Sequence, residues 1–375
     1  MIKKNILIVG CGFAGATIAR ILAENSFKVH LIDKRNHIGG NAFDFINQRR
    51  ERIHQYGPHL LHGKKNSKAI KFLSRFTNWT KYEHKVRALL KNNKTTPLPV
   101  NRNTLEDIFN ISLKDDSQTE IFFKKIREKF SNPKNTDELF LSNVGETLAD
   151  IFFRPYTKKM WGIDPKQLEV SIGARLPVRT NRDDRYFTDD FQALPTNGYT
   201  SMFENILDHE NITFDLNVNF EKKMEHNFKH TFLCLPIDSY FDYCFGPLPY
   251  RSLIFENKLI SGYTMPAPQI NFTDNSIYTR KTQWDLLPNS DKLNDGKHTI
   301  TYEIPVDIKD NPGEYYYPVQ TKLSRSIYKK YSELSKNNNR VTFCGRTGLF
   351  RYIDMVPCVE MHIHIAEKFI KNYKK

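Results

Sequence analysis

The chain has 375 residues, enough for two or three domains, and its 39% hydrophobic and 26% charged residues describe a soluble globular protein. No apolar run approaches the ~20 residues of a membrane span, and residues 1–4 lead straight into the first predicted strand, so neither an integral membrane segment nor a signal peptide is expected. The net charge of +14 admits nucleic acid, a membrane surface or an anionic substrate; the lysines are scattered and no zinc-finger, RNA-recognition or helix-turn-helix signature accompanies them, which points to a phosphorylated small molecule and to no nucleic-acid partner.

The apolar run 6–9 reads as a buried parallel strand, followed by a glycine turn (Gly10, Gly12, Gly15) and a helix with Phe13, Ile18, Ile21 and Leu22 on its apolar side. A second strand ends at Asp33. Together these make a dinucleotide fingerprint in its proper context. Gly10 permits the tight turn, Gly12 the approach of a pyrophosphate and Gly15 close helix–strand packing, while Asp33 is placed for a ribose hydroxyl pair. The free N–H groups of the helix amino end favour the pyrophosphate. Gly39, Gly40 and Asn41 follow the second strand, where a glycine pair lets the chain pass close to a bound cofactor.

Farther on, 66–76 reads as a short amphipathic helix and 82–90 as a strand, with Pro97 and Pro99 ending that segment. From 104 to about 161 the pattern is helical, broken near Pro133. A helix over 201–207, a strand near 212–216 and a buried strand over 231–235 point back to the first domain. An antiparallel sheet is expected over 251–304, a helix over 321–334, a strand over 341–346 and a helix over 358–373. Five cysteines (Cys11, Cys234, Cys244, Cys344, Cys358), odd in number and without a CxxC, fit reduced thiols in a cytoplasmic protein.

Several stretches carry chemistry. The Gly39–Gly40 pair with the fingerprint looks like the FAD-binding signature of flavoproteins, although amine oxidases usually carry Arg where Asn41 stands. The segments around Asn41 and His54 to His62 (HIGGN, then YGPHxxH), Phe152 to Gly162 (YTKKxWG), Arg175 to Arg179 (RLPVR), Asp183 to Phe187 (DDxYF), Arg251 with Arg280, Tyr315 to Pro318 (YYP) and Cys344 to Met355 together resemble the UDP-galactopyranose mutase family over nearly the whole chain.

That resemblance implies an α/β fold: a discontinuous FAD-binding Rossmann-like domain (1–80, 195–240, 321–375), an inserted helical bundle (100–175) and a mostly antiparallel sheet that forms the substrate domain (81–99, 176–194, 245–320). It implies FAD, active when reduced, and interconversion of UDP-galactopyranose and UDP-galactofuranose through a covalent flavin N5–sugar adduct, supplying cell-surface polysaccharide. Arg175, Arg280 and His62 become the catalytic candidates. The cofactor candidates are the glycines and Asp33 already named, Asn41, His59 beside the isoalloxazine, and Gly345, Arg346, Tyr352, Asp354 and Met355 closing over the flavin. Phe152, Tyr156 and Trp161 would meet the nucleotide and sugar, with the neighbouring lysines offsetting phosphate charge. Arg175, Tyr186, Arg251, Arg280, Tyr317 and Tyr352 would hold the diphosphate or the sugar. A homodimer is implied by analogy. Where the family continues YTRITEH, this chain has Lys281, Gln283 and Trp284, and Leu349 and Phe350 replace two hydroxyl-bearing residues; these departures leave another nucleotide sugar open, such as UDP-N-acetylgalactosamine or a 6-deoxyhexose nucleotide. An FAD oxidoreductase of the amine oxidase type is the competing reading, and a nucleic-acid or membrane binder retaining only the fold is a third.

Overall fold

In the computed structural model, which describes residues 5–173, 178–291 and 293–373, the first apolar run is the strand Asn5–Val9. It lies at the centre of a five-stranded sheet in the order Ile212–Leu216, Lys28–Asp33, Asn5–Val9, His230–Leu233, Val341–Phe343, every pair parallel. A parallel sheet is covered on both faces, which is why Ile6, Leu7 and Ile8 are all enclosed. Helix Phe13–Glu24 covers one face and the long helix Met355–Tyr373 packs along it. The strands of this layer therefore come from three separate parts of the chain.

A seven-stranded sheet forms the second layer, in the order Tyr317–Pro318, Tyr250–Ser261, Lys297–Asp307, Arg280–Gln283, Gln269–Phe272, Val86–Leu89, Thr95–Leu98. Its pairs are antiparallel except for 269–272 beside 86–89, which run parallel. Pro97, read from sequence as a terminator, lies inside the last strand. That strand is at the sheet edge, where a missing N–H costs no ladder bond.

Between these strands come the helices Arg102–Phe109, Asp116–Ile126, Thr136–Leu148 and Arg154–Trp161, the last two joined by a π-helical turn, Ala149–Phe153. Phe123, Phe140, Val144, Phe152 and Phe153 form their core, continuous with Val86, Ala88 and Leu98 of the sheet. The 176–194 stretch was expected in the substrate sheet. Its strand, Phe191–Pro195, pairs instead with Leu61–Gly63 and Trp79–Lys81 in a small sheet that carries the histidine loop. The final strand stops at Phe343, and Gly345–Gly348 is a helical turn. Among the described residues no helix is long and apolar enough to cross a membrane.

Candidate active site

Three glycine-bearing segments meet at the carboxyl ends of the parallel strands, where open α/β sheets hold ligands. A Cβ on Gly15 would stand 1.9 Å from the Gly10 carbonyl oxygen, so only glycine lets the 13–24 helix close onto the strand. A Cβ on Gly40 would stand 2.9 Å from the Cα of Gly12, and the Gly39 N–H donates to the Cys11 carbonyl at 3.0 Å. Gly345 closes the third side, where an added Cβ would reach Ala14 Cβ at 3.4 Å. The 13–24 helix has no side-chain cap and no acidic residue in its first turn, so its amino end is left for an anion. Backbone free of Cβ atoms around a bare helix N-terminus fits a dinucleotide pyrophosphate.

Asp33 Oδ2 accepts the Cys11 N–H at 2.8 Å and Oδ1 accepts the Arg35 N–H at 3.0 Å. The carboxylate thereby pins the glycine turn, and a ribose would use its remaining lone pairs. Asn41 accepts a hydrogen bond from Arg35 at 2.8 Å, and that guanidinium lies 4.1 Å over the Tyr56 ring and pairs with Glu314.

The histidine loop stands beside the cradle. The His59 ring donates Nδ1–H to the Gly57 carbonyl at 2.8 Å, and its backbone N–H donates to His54 Nδ1 at 3.0 Å. Burial, aided by His54, Arg346 and Arg280, pushes His59 down to about 3, so its imidazole is neutral at pH 7. Burial pushes His54 down to about 4. His62 Nδ1 lies 2.8 Å from Asp189 Oδ2, with its ring stacked on Phe187 at 3.6 Å.

Opposite the loop, the sheet register sets Arg280 against Glu303. Their Nε and Oε2 are 2.6 Å apart, yet the N–H is not directed along that line, and Nε and both carboxylate oxygens are buried without an aligned hydrogen bond among the described residues. A charge pair enclosed in a sheet is costly unless each charge is compensated, which makes this pair a candidate for holding a charged group. Burial pushes the Glu303 carboxyl up, against the pull of Arg280. The charges of Arg280 and Glu303 and the phenols of Tyr186 and Tyr317 act on Tyr156, whose own hydroxyl burial pushes far above the usual range; it remains a donor. One wall is a cation–aromatic stack. Trp161 meets Tyr317 edge-on at 5.9 Å, Tyr317 lies parallel to Tyr352 at 5.8 Å, and the Arg346 guanidinium sits 4.4 Å over Tyr352 while donating to the carbonyls of Tyr316 and Ile353.

Residues 151–352, more than half of the chain, match the family model for UDP-galactopyranose mutase, and residues 8–76 match the NAD(P)-binding Rossmann-like domain. The chain is 34% identical to dTDP-fucopyranose mutase of Escherichia coli, covering 99% of this chain and 100% of that protein. It is 33% identical to a probable UDP-galactopyranose mutase of Klebsiella pneumoniae, covering 99% and 96%. The chain belongs to the UDP-galactopyranose mutase family. Its backbone matches a crystal structure of reduced UDP-galactopyranose mutase with a TM-score of 0.78 at 16% identity, covering 100% of this chain and 95% of that one. The protein is accordingly a mutase, an isomerase by reaction class, with a flavin as its cofactor, and the glycine cradle is the candidate place for it.

Within that family frame the site residues expected from sequence divide. Tyr156, Trp161, Tyr186, Arg280, Tyr317, Arg346, Tyr352, His59 and His62 gather around the Arg280–Glu303 pair, whose surroundings form the candidate substrate chamber, and Met355 begins the long helix that packs beside the cradle. Asp354 immediately precedes it, its carbonyl accepting the Cys358 N–H at 2.9 Å. Arg251 is directed elsewhere. Its Nε and Nη2 donate to the carbonyls of Met160 and Lys159 at 3.0 and 3.3 Å, closing the carboxyl end of the 154–161 helix, a favourable place for a cation. Lys159, expected to offset phosphate charge, donates to the carbonyls of Phe272 and Tyr278. Phe152 lies one helical turn from Tyr156 but is nearly enclosed in the helical core. Arg175 falls outside the described residues.

Three of the departures from the family pattern, Gln283, Trp284 and Phe350, are buried positions, whereas Lys281 and Leu349 are half-buried. Gln283 accepts the Met265 N–H and donates to Asp285, and Trp284 is fully buried behind His54 with its indole N–H on Thr301. Phe350 packs with Tyr250 and Tyr328. Reading the sequence missed Glu303, Asp189, His54 and His84. For Glu303 a signal existed: an acid on the same strand face as Thr299 and Thr301, inside an otherwise buried sheet.

Proposed function

We propose that this protein interconverts UDP-galactopyranose and UDP-galactofuranose with FAD held in its reduced state. The observation that supports the reading is the Arg280–Glu303 pair, buried in the sheet with Tyr156, Tyr186 and Tyr317 close by. When bound and reduced, the flavin supplies a nucleophile for the anomeric carbon, and its oxidation state is unchanged at the end of a turnover.

The chain's own residues do the rest. Arg280, with Arg175, takes the negative charge that develops on the departing diphosphate, and a planar guanidinium fork suits two phosphate oxygens at once. Tyr156, Tyr186, Tyr317 and Tyr352 add neutral hydroxyl donors, which hold the diphosphate without neutralising it so strongly that it cannot return. Trp161 and the Tyr317–Tyr352 stack shield the reacting carbon from water. His59, neutral at working pH, places no cation against the flavin. By analogy with the family, we infer a homodimer working in the cytoplasm and supplying furanose nucleotide for surface polysaccharide; five free thiols are consistent with a reducing compartment.

The test is to incubate the yellow holoprotein with UDP-galactopyranose, with and without dithionite, and follow the anomeric proton signals. Furanose formed only under reduction, with no net use of reductant, is the expected result. The near-equal likeness to a dTDP-fucopyranose mutase sets the control: faster turnover of dTDP-fucopyranose would overturn the assigned substrate while leaving the reaction class standing.

A further inference from the structure

In the small sheet, His62 is held from two directions. Its ring lies flat on Phe187, with centroids 3.6 Å apart and planes 13° apart, and its Nδ1 is 2.8 Å from Asp189 Oδ2. An ionised carboxylate only accepts, so Nδ1 carries the proton, and in the neutral imidazole Nε2 is then the acceptor. Among the described residues Nε2 has no hydrogen-bond partner, and the His62 side chain is 24% exposed.

The clamp is itself supported. His62 pairs in register with Gln192 on the neighbouring strand. The Gln192 amide donates to the carbonyls of Phe187 and Asp189 at 3.2 and 3.1 Å, so the residue opposite His62 fixes the turn that supplies both its stacking partner and its carboxylate. The preceding residue is tied down as well, Tyr186 N–H donating to the His84 carbonyl at 2.7 Å. His84 feels the charges of both Arg280 and His62, which brings His62 into the neighbourhood of the Arg280–Glu303 pair. The charged and titratable groups near the imidazole are Asp189 against it, His84 and Tyr186 on the Phe187 ring that His62 lies on, and Arg280, whose charge reaches His84.

We propose that Asp189 is a positioning residue: by holding the Nδ1 proton it presents His62 Nε2 as an acceptor for a sugar hydroxyl. The proposal rests on the reaction assigned above, which supplies the sugar hydroxyl as the donor. A fixed acceptor orients the sugar ring for the exchange of ring oxygens, whereas a free imidazole, able to rotate and to change tautomer, would present donor and acceptor by turns.

The experiment uses the full-length holoprotein labelled with 15N-histidine, with the His62 signals assigned through His62→Gln. Wild type is expected to show the Nδ1–H form at His62, and Asp189→Ala to lose it. In Asp189→Ala, kcat for UDP-galactopyranose should fall about tenfold, the size of one well-placed hydrogen bond, while the Kd for UDP and the flavin content stay as in wild type. Asp189→Asn keeps an acceptor for the Nδ1 proton and should retain most of kcat. An unchanged His62 tautomer in Asp189→Ala, or a loss of UDP affinity and thermal stability as large as the loss of kcat, would overturn the proposal. If wild type fails to convert UDP-galactopyranose, the assigned reaction fails, and the tautomer measurement still decides whether Asp189 orders His62.

Discussion

Arg280 and Glu303 depend on each other. Removing the arginine leaves a carboxylate with two unmet oxygens fully enclosed in the sheet, so Arg280→Met should cost about 3–5 kcal/mol of stability in urea unfolding. The double variant Arg280→Met/Glu303→Gln should recover most of that stability and none of the activity, which separates the structural cost from the chemical one. Arg280→Lys keeps the charge and loses the planar fork; kcat should drop about a hundredfold with the fold intact. Residues of this kind show how far sequence reasoning reaches. Arg280, Tyr156 and Tyr317 were readable because each sits in a short motif. Glu303 and Asp189 were not, because each acquires meaning only from a partner across a strand pair, Arg280 for one and His62 for the other. Arg251 misled for a related reason: a guanidinium near phosphate-binding motifs and one closing a helix end look alike until the helix is in view.

At the scale of elements, the cradle depends on backbone contact. Gly40→Ala would drive a methyl to 2.9 Å from the Cα of Gly12, and the expected product is folded protein purified colourless, with FAD restoring little absorbance. Asp44 does comparable work for the 198–207 helix. Its two carboxylate oxygens accept the N–H groups of Tyr199 and Thr200, both at 2.8 Å, and Arg52 lies 3.6 Å away. Asp44→Ala should therefore lower stability by about 2–3 kcal/mol, more than an exposed cap would, since the groups left behind are buried. Strand 212–216 and the long helices were legible from apolar periodicity alone. The parallel pairing of 269–272 with 86–89, and the move of 191–195 into a separate small sheet, were not, because periodicity says which face is buried and nothing about which strand lies alongside.

The molecule as a whole should be sensitive to acid. Burial holds His54 and His230 down to about 4 and His59 and His84 to about 3, whereas an unfolded histidine titrates near 6.5. Below pH ~6.5 the unfolded chain binds protons that the folded chain refuses, so stability is lost progressively as pH falls toward 4, by at most about 1.4 kcal/mol per histidine per pH unit. The urea midpoint should drop steeply between pH 7 and pH 5. His230→Gln, in the central sheet and remote from the chamber, should flatten the slope without changing turnover; equal slopes in variant and wild type would count against this account.

The assembly of the parallel sheet from three distant stretches also bears on how the protein is made. At ~5–20 residues per second, strand 5–9 leaves the ribosome roughly 20–70 s before 341–343, the last strand of its sheet, has been synthesised. Until then the apolar faces of the first three elements have neither their final edge nor the covering helix 355–373. The parallel layer beneath the glycine cradle therefore stays incomplete until residues 341–373 have emerged. Ribosome-bound chains arrested before residue 341 should be protease-sensitive and unable to retain flavin, and a newly synthesised pool should depend on chaperones for about that interval.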